Sequence, residues 1–350
     1  MKVLLVGAYP PPYGGIQVHI VQLEKFLESQ GHSCFVINIG KNKTLKSLKL
    51  VSPGYAFQVA YYLLKKGEHI CHLHFGGNLH VRLLLLALLC SLLFYKRCVI
   101  TIHSGGLPIW GIPKNYFKRL LFCISFIFFR SVICVNTNIV EFLKSLGVKS
   151  ERILVIPPFA FDADPKNNYL PKTIRSFLDT KKPLLCNIGL LEPEYDLELL
   201  LKVFNRFVEK KPEAGLIMIG SGSLHAELEK KILKMGLQGK ALLTGDLNHT
   251  ITLKVLASSD CYIRPSLYDG DCISLKEAIY LGIPAIVTDT GMRPEGAILF
   301  PIGDEEALFR CFMEATIAPP KMKMADHGND SSSLARVEKV LMSLIEENAS

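Results

Sequence analysis

The chain alternates short apolar runs with stretches in which apolar residues recur every three or four positions. Residues 2–7 form the first run, brief and partly β-branched, which predicts a buried parallel strand. A Pro/Gly-rich turn follows. Residues 16–30 then place Ile20, Leu23, Phe26 and Leu27 on one side and meet Gly31 as a stop, the pattern of a helix. Runs at 34–38, 69–75, 99–103, 132–135 and 153–156 read as further strands, separated mostly by helical stretches. Residues 157–183 break the rhythm with five prolines and little periodicity beyond a short helix near 173–178. A second alternation then starts, with strands at 184–189, 215–220, 241–245, 261–264 and 285–288. Helices fall at 197–209, 224–235, 251–257 and 274–281.

This order predicts an α/β chain of two Rossmann-like, doubly wound domains. We assign 1–157 to the first, 158–182 to a linker, 183–317 to the second, and 318–350 to a polar tail with a short helix near 334–347. The pattern does not say where that helix docks. Ligands of such sheets bind beyond the C-terminal ends of the strands, so two such edges facing a cleft are expected.

Charge adds a second theme. The net charge of +8 is uneven: residues 1–150 hold 17 Lys and Arg against 4 Asp and Glu, leaving 23 against 28 in the rest. A basic first half implies an anionic partner surface. No groove-reading motif accompanies it, so an anionic membrane is expected and no nucleic acid. Residues 116–130 are basic at the ends and apolar between, and 81–93 are leucine-rich. Both segments fit either buried core helices or a lipid-facing surface. The longest apolar run, 83–95, falls short of the roughly 18 residues a spanning helix needs. Residues 3–6 meet Pro10, Pro11 and Pro12 too soon for a secretory leader. The expected location is cytoplasmic, peripheral at the inner face of a membrane. The ten cysteines show neither Cys-x-x-Cys nor Cys/His metal spacing, which predicts reduced, buried thiols and no metal site.

Candidate chemistry gathers at strand ends. Gly14-Gly15 lies between a strand and a helix, where backbone can approach a phosphate or simply turn. His103 ends a strand and precedes Ser104-Gly105-Gly106, while His72 and His74 alternate with apolar residues on another strand. Gly220-Ser221-Gly222 is a second strand-to-helix junction. The richest segment runs from Arg264 through Asp269, Gly270, Asp271, Cys272, Ile273 and Ser274 to Glu277, Gly282 and Pro284. Its two acids, Asp269 and Glu277, suit the binding of sugar hydroxyls, because a carboxylate offers several acceptor sites. Ser274 and Glu277 also have capping-box spacing, so Glu277 reads equally as a cap of its own helix.

The whole chain resembles the GT-B-fold glycosyltransferases of the large retaining family four. The opening with Pro-Pro-Pro-Tyr-Gly-Gly and then Gly31-His32 is similar to that family's start. Val99-Ile-Thr-Ile-His103 resembles its strand ending in an active-site histidine. Asp269 and Glu277 match the spacing of its paired glutamates, and 277–287 is similar to the sequence that follows them. The resemblance covers roughly residues 1–315. It implies that Gly14 and Gly15 approach a donor diphosphate, that His103 contacts the transferred sugar, that Asp269 binds its hydroxyls and Glu277 the ribose. It further implies that amides of Gly270, Asp271, Cys272 and Ile273 meet the diphosphate and sugar. Gly189, Gly220 and Gly245 would then line the donor site. No cofactor or metal is implied beyond a UDP- or GDP-linked sugar as substrate. The acceptor would be a saccharide or a lipid-linked molecule of polysaccharide or lipopolysaccharide assembly.

Two departures from the family pattern stand out. Asp269 is one methylene shorter than the family's glutamate. Leu190 and Tyr195 occupy the positions at which the family has a diphosphate-neutralising arginine and lysine. A helix N-terminus supplies only about half a positive charge, so another cation is required. Arg264 is the first candidate, then Lys276 and Arg293. The same departures suit a catalytically silent nucleotide-sugar-binding or scaffold protein. Donor base, sugar, acceptor, linkage and oligomeric state are not legible.

Overall fold

The computed structural model of the protein describes residues 1–349 other than 13, 41–46, 67–68, 77–79, 105–114, 158–169, 270–271, 292 and 318–330. Of the expected linker 158–182, residues 158–169 lie outside the described residues, while Lys172–Thr180 forms a helix whose Ile174 and Phe177 join the core of the second unit. The chain divides into two compact units, each built on one parallel sheet.

In the first unit the strands are β1 (Lys2–Gly7), β2 (Ser33–Asn38), β3 (Leu50–Val51), β4 (Ile70–Phe75), β5 (Cys98–Ile102), β6 (Ser131–Cys134) and β7 (Ile153–Val155). They lie in the order β3-β2-β1-β4-β5-β6-β7. Between them run α1 (Gly15–Ser29), α2 (Ala56–Lys65), α3 (Val81–Leu93), α4 (Tyr116–Ile127) and α5 (Thr137–Ser145). The two-residue pleat sorts the side chains onto two faces. Leu4, Val6, Phe35, Ile37, Leu73, Ile100 and Ile102 join a core with Leu63 of α2, Leu84 and Ala87 of α3 and Phe122 and Phe126 of α4. Val3, Leu5, Cys34, Val36 and Val99 point the other way, onto Ile20, Leu23 and Leu27 of α1. Asn136 caps α5 by accepting from the Ile139 amide at 3.0 Å, which satisfies one orphan donor of the first turn.

The second unit holds β8 (Leu184–Ile188), β9 (Gly215–Ile219), β10 (Ala241–Leu243), β11 (Cys261–Arg264), β12 (Ala285–Thr288) and β13 (Ile298–Phe300), in the order β10-β9-β8-β11-β12-β13. Its helices are α6 (Lys172–Thr180), α7 (Leu197–Lys210), α8 (His225–Lys234), α9 (His249–Ala257), α10 (Ile273–Tyr280) and α11 (Glu305–Ile317). One face packs on α7, α8 and α11 and the other on α6, α9 and α10. Strands β3 and β13, two and three residues long, were not expected from the pattern.

The last helix, α12 (Ser331–Ala349), belongs to the first unit. Its stripe Leu334, Val337, Leu341 and Leu344 is buried against α1 and the β1–β2 face. His32 pairs with Glu338 at 2.8 Å, and Arg336 donates to the Val155 carbonyl at 2.7 Å. Strand order reverses between β1 and β4 in the first sheet and between β8 and β11 in the second. In open α/β sheets these switch points are where ligands bind.

Candidate active site

At the second unit's switch point, Gly189 follows β8 and Arg264 ends β11. A Cβ on Gly189 would lie 2.5 Å from the Arg264 Nη1, so glycine leaves the room the guanidinium occupies. Gly220 follows β9 with φ +136°, and a Cβ there would meet the Gly189 carbonyl oxygen at 1.9 Å. The Gly220 amide donates to the Gly245 carbonyl at 3.0 Å. Gly189 and Gly220 therefore have a packing reason in their own right, while Gly245, with open space around its Cα, is called for by its left-handed φ of +68°.

Arg264 is buried and carries three described hydrogen bonds. Nε and Nη2 donate to Asp269 at 2.8 and 3.3 Å, and Nη1 donates to the Ile188 carbonyl at 2.8 Å. Its guanidinium carbon lies 4.4 Å from the centre of the Tyr195 ring. The position where the family resemblance implies a lysine thus presents an aromatic face that supports a cation from β11. Burial pushes the Tyr195 hydroxyl up to about 12, with Arg264 opposing. Arg293 donates to Asp269 from Nη1 at 3.2 Å, to Ser266 from Nη2 at 2.9 Å and to the Thr288 carbonyl from Nε at 2.9 Å. Asp269 is fastened between two arginines and the Ser266 hydroxyl. Burial alone would raise its carboxyl, but the charges of Arg264 and Arg293 hold it below the usual carboxylate range. The trio carries one net positive charge.

Glu277 does not cap its helix. Cys272 is the N-cap of α10, without a side-chain cap bond, and Ile273 opens the helix. Ser274 lies inside it, with its hydroxyl 2.7 Å from the Tyr262 hydroxyl. The sequence spacing was right for a capping box, but the helix begins too early to use it. Glu277, 2% exposed, instead meets His249 Nε2 through Oε1 at 2.6 Å. Its Oε2 accepts no hydrogen bond among the described residues. His249 opens α9 and carried no sequence signal. Gly270 and Asp271 lie outside the described residues.

In the first unit, Gly15 opens α1, with Gly14 just before it in the chain. His103 follows β5, with its amide donating to the Phe75 carbonyl at 2.8 Å. It does not stand alone. The pleat aims His72 and His74 of β4 at the face that carries α1, the face also taken by Val99 and Thr101 of β5. His19 comes down from α1 onto them, and the ring centres of His19 and His103 are 5.2 Å apart. His74 Nδ1 lies 3.2 Å from His103 Nε2, and His72 Nε2 lies 2.7 Å from the Thr101 hydroxyl. Burial lowers His19 to about 4 and His72 to about 3, the latter with help from His19. His74 and His103 are lowered as well, by burial first and by their neighbours second. The four imidazoles are neutral at neutral pH.

With this geometry in hand, the family models are informative. Residues 13–160 match Glycosyltransferase Family 4, and residues 172–299 match Glycosyl transferases group 1. The chain belongs to the group 1 glycosyltransferases. It is built as two Rossmann-like domains. An uncharacterized glycosyltransferase of Methanocaldococcus jannaschii is 32% identical over 45% of the chain and 39% of its own length. The phosphatidylinositol N-acetylglucosaminyltransferase GPI3 subunit of Saccharomyces cerevisiae is 23% identical over 83% of the chain and 68% of its length. The chain thus spans less than half of the archaeal relative and about two thirds of the yeast one. Among solved structures, Anabaena HepE in complex with UDP-glucose superposes with a TM-score of 0.75 at 15% identity, covering 98% of this chain and all of that one. That likeness concerns the fold.

Proposed function

We propose that this glycosyltransferase moves a sugar from a UDP- or GDP-linked donor to a lipid-linked acceptor at an anionic membrane surface, with retention of configuration, in polysaccharide or lipopolysaccharide assembly. The observation that carries the donor half is Glu277. It is a buried carboxylate at the C-terminal edge of the sheet, oriented by His249 and without a capping role, with one oxygen left for ribose hydroxyls. Arg264 keeps two N–H groups beyond its three described bonds, and we assign it the leaving diphosphate, helped by the amides that open α10. Asp269 then lies beside the sugar while its arginines hold the loop. Preorganised charge of this kind stabilises a developing anion without reorganisation.

The acceptor half is supported by the outer surface of α2, α3 and α4. Phe57, Tyr61 and Leu64 share one exposed face of α2, and Leu85, Leu92, Tyr95, Tyr116, Phe117 and Leu120 are exposed nearby. Lys65, Arg82, Lys96 and Arg119 are exposed among them. Such a basic, aromatic surface suits anionic lipid. No described helix is long and apolar enough to cross a membrane. The yeast relative's name specifies a phosphatidylinositol acceptor, which agrees with a lipid-linked one here.

Calorimetry with UDP, GDP and ADP tests the reading. One nucleotide should bind, and Glu277→Ala should weaken it at least about tenfold, as expected for a lost charge-assisted hydrogen bond of roughly 1.5–3 kcal/mol. If no nucleotide binds to the folded protein, the donor assignment fails.

A further inference from the structure

The histidine group of the first unit has more in it than the sugar contact proposed for His103. One ring nitrogen from each of His19, His74 and His103 lies within 4.8 Å of one from each of the other two. His19 is 1% exposed and His74 3% exposed. Both nitrogens of His19 and Nε2 of His74 are buried without a hydrogen-bond partner among the described residues. A neutral imidazole always carries one N–H and one lone pair. Leaving such a group unpaired in the interior costs about 1–3 kcal/mol. His72 has one nitrogen paired with Thr101 and its Nδ1 without a partner among the described residues, whereas neither nitrogen of His19 has one.

We propose that His19, His74 and His103 form a binding site for a divalent transition-metal ion of the zinc class. The spacing of the rings supports this. On a tetrahedral ion with metal–nitrogen distances of about 2.0–2.1 Å, two ligand nitrogens stand about 3.3 Å apart. His74 Nδ1 and His103 Nε2 are already 3.2 Å apart. A ring nitrogen of His19, without a partner among the described residues, lies within 4.8 Å of both and closes inward to complete the set. The ring that now donates between His74 and His103 shifts its N–H to its other nitrogen on metal binding, so each ligand coordinates as a neutral imidazole. Three neutral imidazoles without a carboxylate select zinc, cobalt, nickel or copper over magnesium and calcium, which prefer oxygen donors. His103 is half-buried whereas the other two are buried, so the open fourth position is expected on its side.

The fold explains why the site escapes detection along the chain. The ligands come from α1, β4 and the end of β5, with no short spacing between them. They meet because α1, which follows β1, crosses the face to which His72, His74 and Thr101 point. Gly7 contributes room, since a Cβ there would lie 2.4 Å from Ile20 Cδ1 and 3.0 Å from His74 Cβ.

The test uses the full-length protein, stripped with a chelator, dialysed and titrated with Zn²⁺ and Co²⁺. One ion should bind per chain. Zinc X-ray absorption should show nitrogen scatterers from three imidazoles and no sulfur. The cobalt form should show tetrahedral visible bands without a thiolate charge-transfer band, which separates this site from the ten cysteines. His19→Phe keeps a ring in the buried position and should weaken zinc binding by more than about 100-fold, beyond the loss seen when only an outer-shell partner is removed. His32→Ala, in the turn between α1 and β2, should bind zinc as the parent does. Failure of the folded parent to retain zinc, sulfur scatterers in its spectrum, or undiminished binding by folded His19→Phe would each overturn the proposal. If His19→Phe does not fold, the absorption spectrum of the parent alone decides.

Discussion

At the scale of single residues, the function of each polar group depends on who holds it. Asp269 and Arg264 are five residues apart, and their loop brings them into direct contact with Arg293 from beyond β12. Removing one partner of such a buried pair typically costs about 3–5 kcal/mol because the other charge is left uncompensated. Asp269→Asn should therefore destabilise the second unit by an amount of that order at pH 7, measured by urea unfolding. The pH dependence has a definite sign. The folded carboxyl titrates below its unfolded value of about 3.9. Its stabilisation is thus fully present above about pH 4 to 5 and is lost as the pH falls through the lower, folded value. The parent should lose stability across that acid window, and Asp269→Asn should show a shallower slope there. An equal slope in both would mean that Asp269 is not the titrating group. In the sequence, Asp269 and Glu277 were legible as a pair, but the partners that orient them were not. His249 and Arg293 lie 28 and 24 residues from the acids they hold, too far for any local pattern.

At the scale of elements, the strands and most helices follow from period-two and period-3.6 hydrophobicity, since those periods place apolar atoms on one buried face. Helix α12 shows the limit of that reasoning. Its stripe is plain in the sequence, yet nothing in the stripe names the surface that covers it. The structure gives that role to α1 and the β1–β2 face of the first sheet, at the opposite end of the chain, with His32 and Glu338 as the polar clasp. Leu341 is fully buried there. Leu341→Ala should cost about 2–5 kcal/mol, the usual range for emptying a packed leucine site. The loss should appear in the unfolding of the first unit, followed by proteolysis, with cleavage of the second unit unchanged. A change below about 0.5 kcal/mol would show that α12 is only loosely applied.

At the scale of the whole molecule, charge is divided between the halves, and the basic half also carries exposed aromatic residues. The leucine-rich α3 and the aromatic α4 could have been core helices throughout. The structure makes them two-sided: Leu84 and Phe122 are fully buried, while Leu85 is 51% and Phe117 64% exposed. Binding to vesicles rich in anionic phospholipid should follow, should weaken from low to high salt, and should fall at least about tenfold when Phe57, Tyr61 and Leu64 are all changed to serine. Sedimentation with neutral and anionic vesicles checks this. Equal binding to both would assign the surface to something other than anionic lipid.

The sequence by itself determined the α/β class, the two successive Rossmann-like units, the asymmetry of charge and the strand ends at which chemistry gathers. Each of these is a local or additive property: a period, a turn residue, a sum of charges. Only the tertiary structure decided the rest. Glu277 became the partner of His249 because α10 starts at Ile273. Tyr195 became the support of Arg264 because β8 and β11 adjoin. Four histidines spread over 85 positions became neighbours because a pleat and a helix share one face. Partner choice is set by which surfaces chain closure brings within hydrogen-bonding reach, a range of about 3 Å, and no spacing along the chain encodes that distance.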